Sequence, residues 1–243
     1  MTSWNCEGLS DVNFIMSLND SLQNEYQFDL DKTFATGFSY GGDMSFHLAR
    51  CQNSKTFDAV ATLAGTIFDY MNICSPSFDI SVFVLHGTND NMINYNGGNL
   101  PNYGPYMSTP DIITDWIDYN ACIFDTNYTL SDVNNDNNLT EVSKYKNVNT
   151  GESVWHYKVN NGIHEWFDVS PLGTDDFWAS EEIWNFFSQV STNTTSVNNI
   201  VNNSDKRLLR IVDVLGKEVQ SSSNSILFNI YDDGTVEKKI IIE

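Results

Sequence analysis

Basic side chains are scarce in this sequence. Lysine and arginine total 12 against 32 aspartates and glutamates, a formal charge of -20. That imbalance, with no basic stripe, opposes binding to a phosphate backbone and argues against nucleic acid as a partner. No apolar run approaches the roughly 18 residues needed to cross a bilayer, so no membrane span is expected. The opening MTSWNCEGLSD lacks the basic-then-apolar pattern of a signal peptide, which by itself predicts a cytosolic chain. Cysteine is sparse as well: Cys6, Cys51, Cys74 and Cys122 are widely separated, with no CxxC pair. That spacing disfavours zinc or thioredoxin-type chemistry and leaves two disulfides open in an oxidising compartment, in three alternative pairings.

What remains is the composition of a folded protein. With 243 residues, 41% hydrophobic and 13% aromatic, the chain can bury a large domain and carry an appendage. Residues 11–26 place Val12, Ile15, Met16, Leu18 and Leu22 at helical spacing behind a capping Asp11. KTFATGF reads as a strand and GDMSFHLARCQ as the following helix. DAVATLAGT and SVFVLHGT are short apolar runs of the kind found in strands covered on both faces. Residues 109–121, with Pro110 in the first turn, predict a helix; SVWHYKV predicts a strand, and FWASEEIWNFFSQV a closing amphipathic helix. Strands alternating with helices define an α/β fold. After residue 190 a polar tract, STNTTSVNNIVNNSD, reads as a linker. Beyond it, short alternating segments predict a small β unit. The expected division is therefore 1–190, a linker at 191–205, and 206–243. DVNNDNN at 132–138 lacks the glycine and closing glutamate of an EF-hand loop and reads as a solvated turn.

Chemistry enters at ATGFSYGGDMSFHLA, residues 35–49, where Ser39 stands between Gly37 and Gly41 at a strand-to-helix turn. A serine hydroxyl is a poor nucleophile unless a base takes its proton, so it must be exposed to base and substrate at once. A sharp turn flanked by glycines lifts it clear, and the helix start beyond favours negative charge developing there. The backbone N–H of Tyr40 is then the candidate oxyanion donor. An acid and a histidine should follow in that order. Asp90 lies just past SVFVLHGT, whereas Asp79 precedes the strand and Asp115 falls within a helix. Of four histidines, His47 is inside the elbow helix, His86 at a strand end suits a structural hydrogen bond, and His156 alternates within a strand. His164, in the loop NNGIHEWFD, is the best base, with His156 the alternative.

ATGFSYGGDMSFHLA, VFVLHGTNDNMINYNGG and GIHEWF together resemble the secreted polyhydroxybutyrate depolymerase and feruloyl esterase family of α/β-hydrolases, over residues 10 to 190. The resemblance implies an α/β-hydrolase sheet and a triad of Ser39, Asp90 and His164. The last loop departs from the family, with Gly-Ile before the histidine and Phe-Asp after Trp166 where Gly-Gly and Pro-Gly are usual. Family cysteines after the elbow helix and after a later helix correspond to Cys51 and Cys122. RIVDVLGKEV and FNIYDDGTVEKKIIIE resemble carboxyl-terminal sorting domains of the type IX secretion system. Export machinery is then a partner and a secreted or cell-surface location is implied, against the cytosolic reading of the amino end. Only 38 residues precede Ser39, whereas the earlier strands of such a sheet need on the order of a hundred. The expectation is a chain shortened at its amino end, with the Ser39 strand at the sheet's edge.

The implied activity is a serine carboxyl-ester hydrolase acting on a polysaccharide or polyester. Tyr40, Tyr95 and Trp166 are candidate pocket residues, and no metal or organic cofactor is called for. The alternatives are a serine peptidase of the prolyl oligopeptidase type and a non-catalytic surface module.

Overall fold

A computed structural model describes residues 10–29, 32–71, 74–133, 138–168, 176–190, 207–213, 217–219, 225–232 and 236–241. Within them the chain forms two compact units, divided between Thr195 and Ser196. The tract read as a linker, Cys6, and most of the DVNNDNN turn lie outside the described residues.

The first unit opens with helix α1 (Ser10–Tyr26), strand β1 (Phe34–Phe38), helix α2 (Tyr40–Cys51) and strand β2 (Ala59–Leu63). Strand β3 (Ser81–Gly87), a hairpin of β4 (Gly98–Leu100) and β5 (Gly104–Tyr106), and helix α3 (Thr109–Tyr119) follow. Strands β6 (Ile123–Thr129), β7 (Thr140–Lys146) and β8 (Ser153–Val159), then helix α4 (Ala179–Val190), complete it. The central sheet runs β1-β2-β3-β8-β7-β6. Its first four strands are parallel, and β7 and β6 are added antiparallel. The α/β expectation therefore holds: a mostly parallel sheet is covered by helices on both faces. Among the described residues β1 is an edge strand.

The side-chain period of two explains the two cores. Along β2, Val60 faces one core while Ala59, Ala61 and Leu63 face the other; β3 divides Val82 and Val84 from Phe83 and Leu85 in the same way. The first core takes Val12 and Met16 of α1, Met44, Phe46, Leu48, Ala49 and Cys51 of α2, and Ile112, Ile113 and Trp116 of α3. Ile183, Phe186 and Phe187 of α4 close the second. Helix α3 starts as its sequence predicts. The Ser108 hydroxyl oxygen accepts the Asp111 N–H, with Pro110 in the first turn.

The hairpins β4–β5 and β6–β7 were not expected. Every residue of β6 is exposed, so the strand carries no apolar alternation; its hydrogen bonds to β7 hold it. The second unit is a three-stranded antiparallel sheet, β9 (Leu208–Asp213), β10 (Ser225–Tyr231) and β11 (Val236–Ile241), with β10 central.

Cys51 at the end of α2 is bonded to Cys74. Cys122, which the family resemblance sets beside Cys51, is instead a buried free thiol, pushed up to about 11 by burial. Residues 51 and 74 are 23 apart. Closing a loop of that size constrains the unfolded chain by about 3 kcal/mol in the chain-entropy treatment. Replacing both cysteines by serine is expected to lower stability by about that amount in denaturant titrations. A reductant should produce the same loss in the unaltered chain; identical titrations with and without reductant would contradict the bond.

Candidate active site

The site lies at the carboxyl ends of the parallel strands, and close backbone contacts build it. Ser39 sits between β1 and α2 with φ 54 and ψ -121, a left-handed φ that is rare outside glycine. The turn survives because its surroundings hold it. The Ser39 N–H donates to the Leu63 carbonyl at 2.9 Å, and the Asp43 N–H to the Ser39 carbonyl at 3.0 Å. A Cβ on Gly37 would overlap the Gly41 carbonyl group, so glycine at 37 is a steric requirement of the turn. Ser39 does not cap α2 with its side chain, which leaves the hydroxyl available. Tyr40 begins the helix, and its N–H has no intrahelical acceptor.

Two loops, following β3 and β8, carry the other groups and are laced together. Thr88 N–H donates to Val159, Asn89 N–H to Gly162 and Asn161 N–H to the Thr88 hydroxyl, each at 2.9 Å. A Cβ on Gly87 would collide with the Gly162 carbonyl, so these backbones touch. Asp90 and His164 are positioned by that seam. The Asp90 carboxyl is buried. Its Oδ1 accepts the N–H groups of Met92 and Ile93, both at 2.8 Å. Its Oδ2 lies 2.7 Å from His164 Nδ1. On the far side of that ring, Nε2 is 3.0 Å from Ser39 Oγ, and the Phe38 ring lies against it at 4.8 Å.

Burial opposes charge on Asp90, yet hydrogen bonds from His164, His86, Ile93 and Met92 outweigh it and hold the carboxyl below the ordinary carboxylate range. An ionised Asp90 can only accept, so His164 Nδ1 carries the hydrogen and Nε2 is left with a lone pair toward Ser39. The arrangement can deprotonate the hydroxyl as it attacks a carbonyl carbon.

The other candidates stand apart from this line. His156 is half-buried, its Nε2 3.2 Å from the Tyr95 hydroxyl; loss of solvation first, then His86 and Lys158, push it down to about 4. Asp79 and Asp115 are exposed and are not hydrogen-bond partners of His164. Tyr95 is 6% exposed, and its hydroxyl meets His156. Trp166 is 39% exposed and lines an apolar groove of about 520 Å³ with Phe28, Phe34, Trp184 and Phe187. The Tyr40 ring is exposed and tilts against Tyr103 on the β4–β5 turn at 5.6 Å. Among the described residues no cluster of His, Cys, Asp or Glu is arranged to hold a metal ion.

Comparison with known proteins returns relatives for part of the chain. A bifunctional acetylxylan esterase/xylanase of Neocallimastix patriciarum is 27% identical over 192 residues, 78% of this chain and 25% of that protein. A probable feruloyl esterase C of Aspergillus clavatus is 38% identical over 96 residues, 39% of this chain and 34% of that one. Both relatives bear esterase names. The chain spans between a quarter and about a third of the length of these curated relatives. Among solved structures, an acetyl xylan esterase from Aspergillus awamori superposes with a TM-score of 0.48 at 12% identity, covering 73% of this chain and 66% of that one. No family model matches the sequence.

Sequence reasoning passed over Asp43. It is 3% exposed, in the first turn of α2, and its Oδ1 accepts the Thr66 N–H at 2.7 Å. Burial raises it to about 7, against the smaller opposing effect of that hydrogen bond. An acid whose folded pKa is raised takes up its proton more tightly in the folded state. Its unfavourable contribution is absent below the unfolded value of 3.8, grows as pH rises toward about 7, and is constant above. Asp43→Asn keeps the acceptor for Thr66 and removes the charge. The variant is expected to gain stability relative to the parent across that window, on the order of 4 kcal/mol at most above pH 7. Denaturant titrations at pH 4 and pH 8 that give the same difference between variant and parent would contradict it.

Proposed function

We propose that this chain is a serine carboxylic ester hydrolase that forms an acyl-enzyme at Ser39. The observation that carries the reading is the unbroken hydrogen-bonded line from Asp90 through His164 to Ser39, at 2.7 and 3.0 Å. Ser39 Oγ attacks the ester carbonyl carbon while its proton passes to His164 Nε2. The carbonyl oxygen becomes an oxyanion near the Tyr40 N–H at the start of α2. Collapse expels the alcohol, which takes the proton from Nε2, and leaves an ester on Ser39. Water then attacks that ester, giving its proton to Nε2; the acid leaves and Oγ recovers the proton. Asp90 stays ionised throughout and steadies the imidazolium.

The acetylxylan and feruloyl esterase names of the relatives favour acetyl or hydroxycinnamoyl esters on polysaccharide over polyhydroxyalkanoate. The Cys51–Cys74 bond fits an oxidising compartment and thus a secreted or cell-surface enzyme. The carboxyl-terminal unit, by its sequence resemblance, would act as the address read by type IX secretion machinery.

A fluorophosphonate probe is expected to label the parent chain at Ser39 and to leave Ser39→Ala unlabelled. Hydrolysis of p-nitrophenyl acetate and ethyl ferulate should fall on the order of ten-thousandfold or more in Ser39→Ala and His164→Ala, with peptide anilides untouched. A folded parent chain that neither labels nor releases p-nitrophenol would overturn the assignment.

A further inference from the structure

A second imidazole lies against the same carboxylate. His86, in β3, is 1% exposed, and its Nε2 is 3.2 Å from Asp90 Oδ2 and 2.9 Å from the Ile93 carbonyl oxygen. Its Nδ1 is 2.8 Å from the Thr109 hydroxyl, at the start of α3. The tautomer follows from these partners. A carbonyl oxygen can only accept, so Nε2 carries a hydrogen, and the neutral ring's Nδ1 then accepts from Thr109. The His86 N–H is thus shared between Ile93 and Asp90. Tyr95 meets the ring edge-on at 5.7 Å. Four donors consequently surround the Asp90 carboxylate: two backbone N–H groups on Oδ1 and two imidazoles on Oδ2.

We infer that His86 is a positioning residue for the proposed ester hydrolysis: its Nε2–H, locked by Ile93 and Thr109, orients Asp90 and tempers its basicity so that the proton stays on His164 Nδ1. The inference rests on the Ser39–His164–Asp90 reading. The physical reason is directional. The Met92 and Ile93 N–H groups hold Oδ1 but leave the carboxyl free to rock about that end. A donor on Oδ2, set against His164, fixes the plane and the lone pair that Nδ1 uses. A buried carboxylate with one donor fewer is also a stronger base and attracts the imidazolium more strongly. The titratable groups around Asp90 are His164, His86 and, through Tyr95, His156, on which Lys158 and Glu141 also act.

The test compares His86→Leu, which lacks the donor, with His86→Gln, whose amide N–H can replace Nε2–H, each normalised to sites titrated by the fluorophosphonate. His86→Leu is expected to lose ten- to a hundredfold in kcat with KM nearly unchanged. The acidic limb of its kcat/KM profile should move to higher pH by about half a unit or more, because His164 becomes easier to protonate beside a more basic Asp90. His86→Gln should recover most of kcat and the original limb. A role in stability alone would lower the number of titratable sites and leave the limb in place. If per-site kcat and the limb of His86→Leu match the parent within twofold, the inference is overturned while the triad reading stands; a parent chain that never labels overturns both. Should His86→Leu fail to fold, nitrogen-15 histidine spectra of the parent decide: His86 must be the Nε2–H tautomer and His164 the Nδ1–H tautomer, and His86 protonated at Nδ1 alone sinks the inference.

Discussion

A charged carboxylate sealed under the end of a parallel sheet is the constraint on which the rest of this structure depends. Removing such an ion from water costs several kcal/mol unless donors replace the water, and Asp90 has them on both oxygens. Two come from its own turn, one from strand β3 and one from the loop after β8. The carboxylate therefore joins segments 74 residues apart along the chain, from Asp90 to His164. Through the Thr109–His86 bond it also anchors the start of α3. Losing any one donor would raise the energy of the ion rather than merely delete a contact.

The serine is held by the opposite kind of device, steric rather than electrostatic. Its left-handed φ is unfavourable alone, and the bonds to Leu63 and Asp43 together with the backbone approach of Gly37 and Gly41 keep it there. Gly42 and Gly65 extend the same close packing, bringing α2 against the end of β2. Strain at the hydroxyl and polar satisfaction at the carboxylate are thus supplied by different parts of one sheet edge. His164 is the only hydrogen-bonded link between Ser39 and Asp90 among the described residues.

Helices α1 to α4 and strands β1, β2, β3 and β8 were legible because each buries a face, and burial imposes a period on the apolar residues. Strand β6 is exposed at every position, and β4 and β5 are three residues each, too short to show a period. A similar distinction runs through the site. Ser39, Asp90 and His164 stand in local patterns that a chain displays one after another. Asp43 and Tyr95 have no local mark, since what matters about each is a partner 23 or 61 residues away.

The amino-acid order by itself determined the alternation of strand and helix, the glycine-flanked turn at Ser39, and the sequence Ser39, Asp90, His164 along the chain, because these arise from neighbouring residues and their periodicity. Only the tertiary structure decided that Cys51 joins Cys74, that Tyr95 is covered, and that two imidazoles share one carboxylate. Those outcomes turn on distances between remote segments, and such distances exist only after the sheet has brought its strand ends to a common rim.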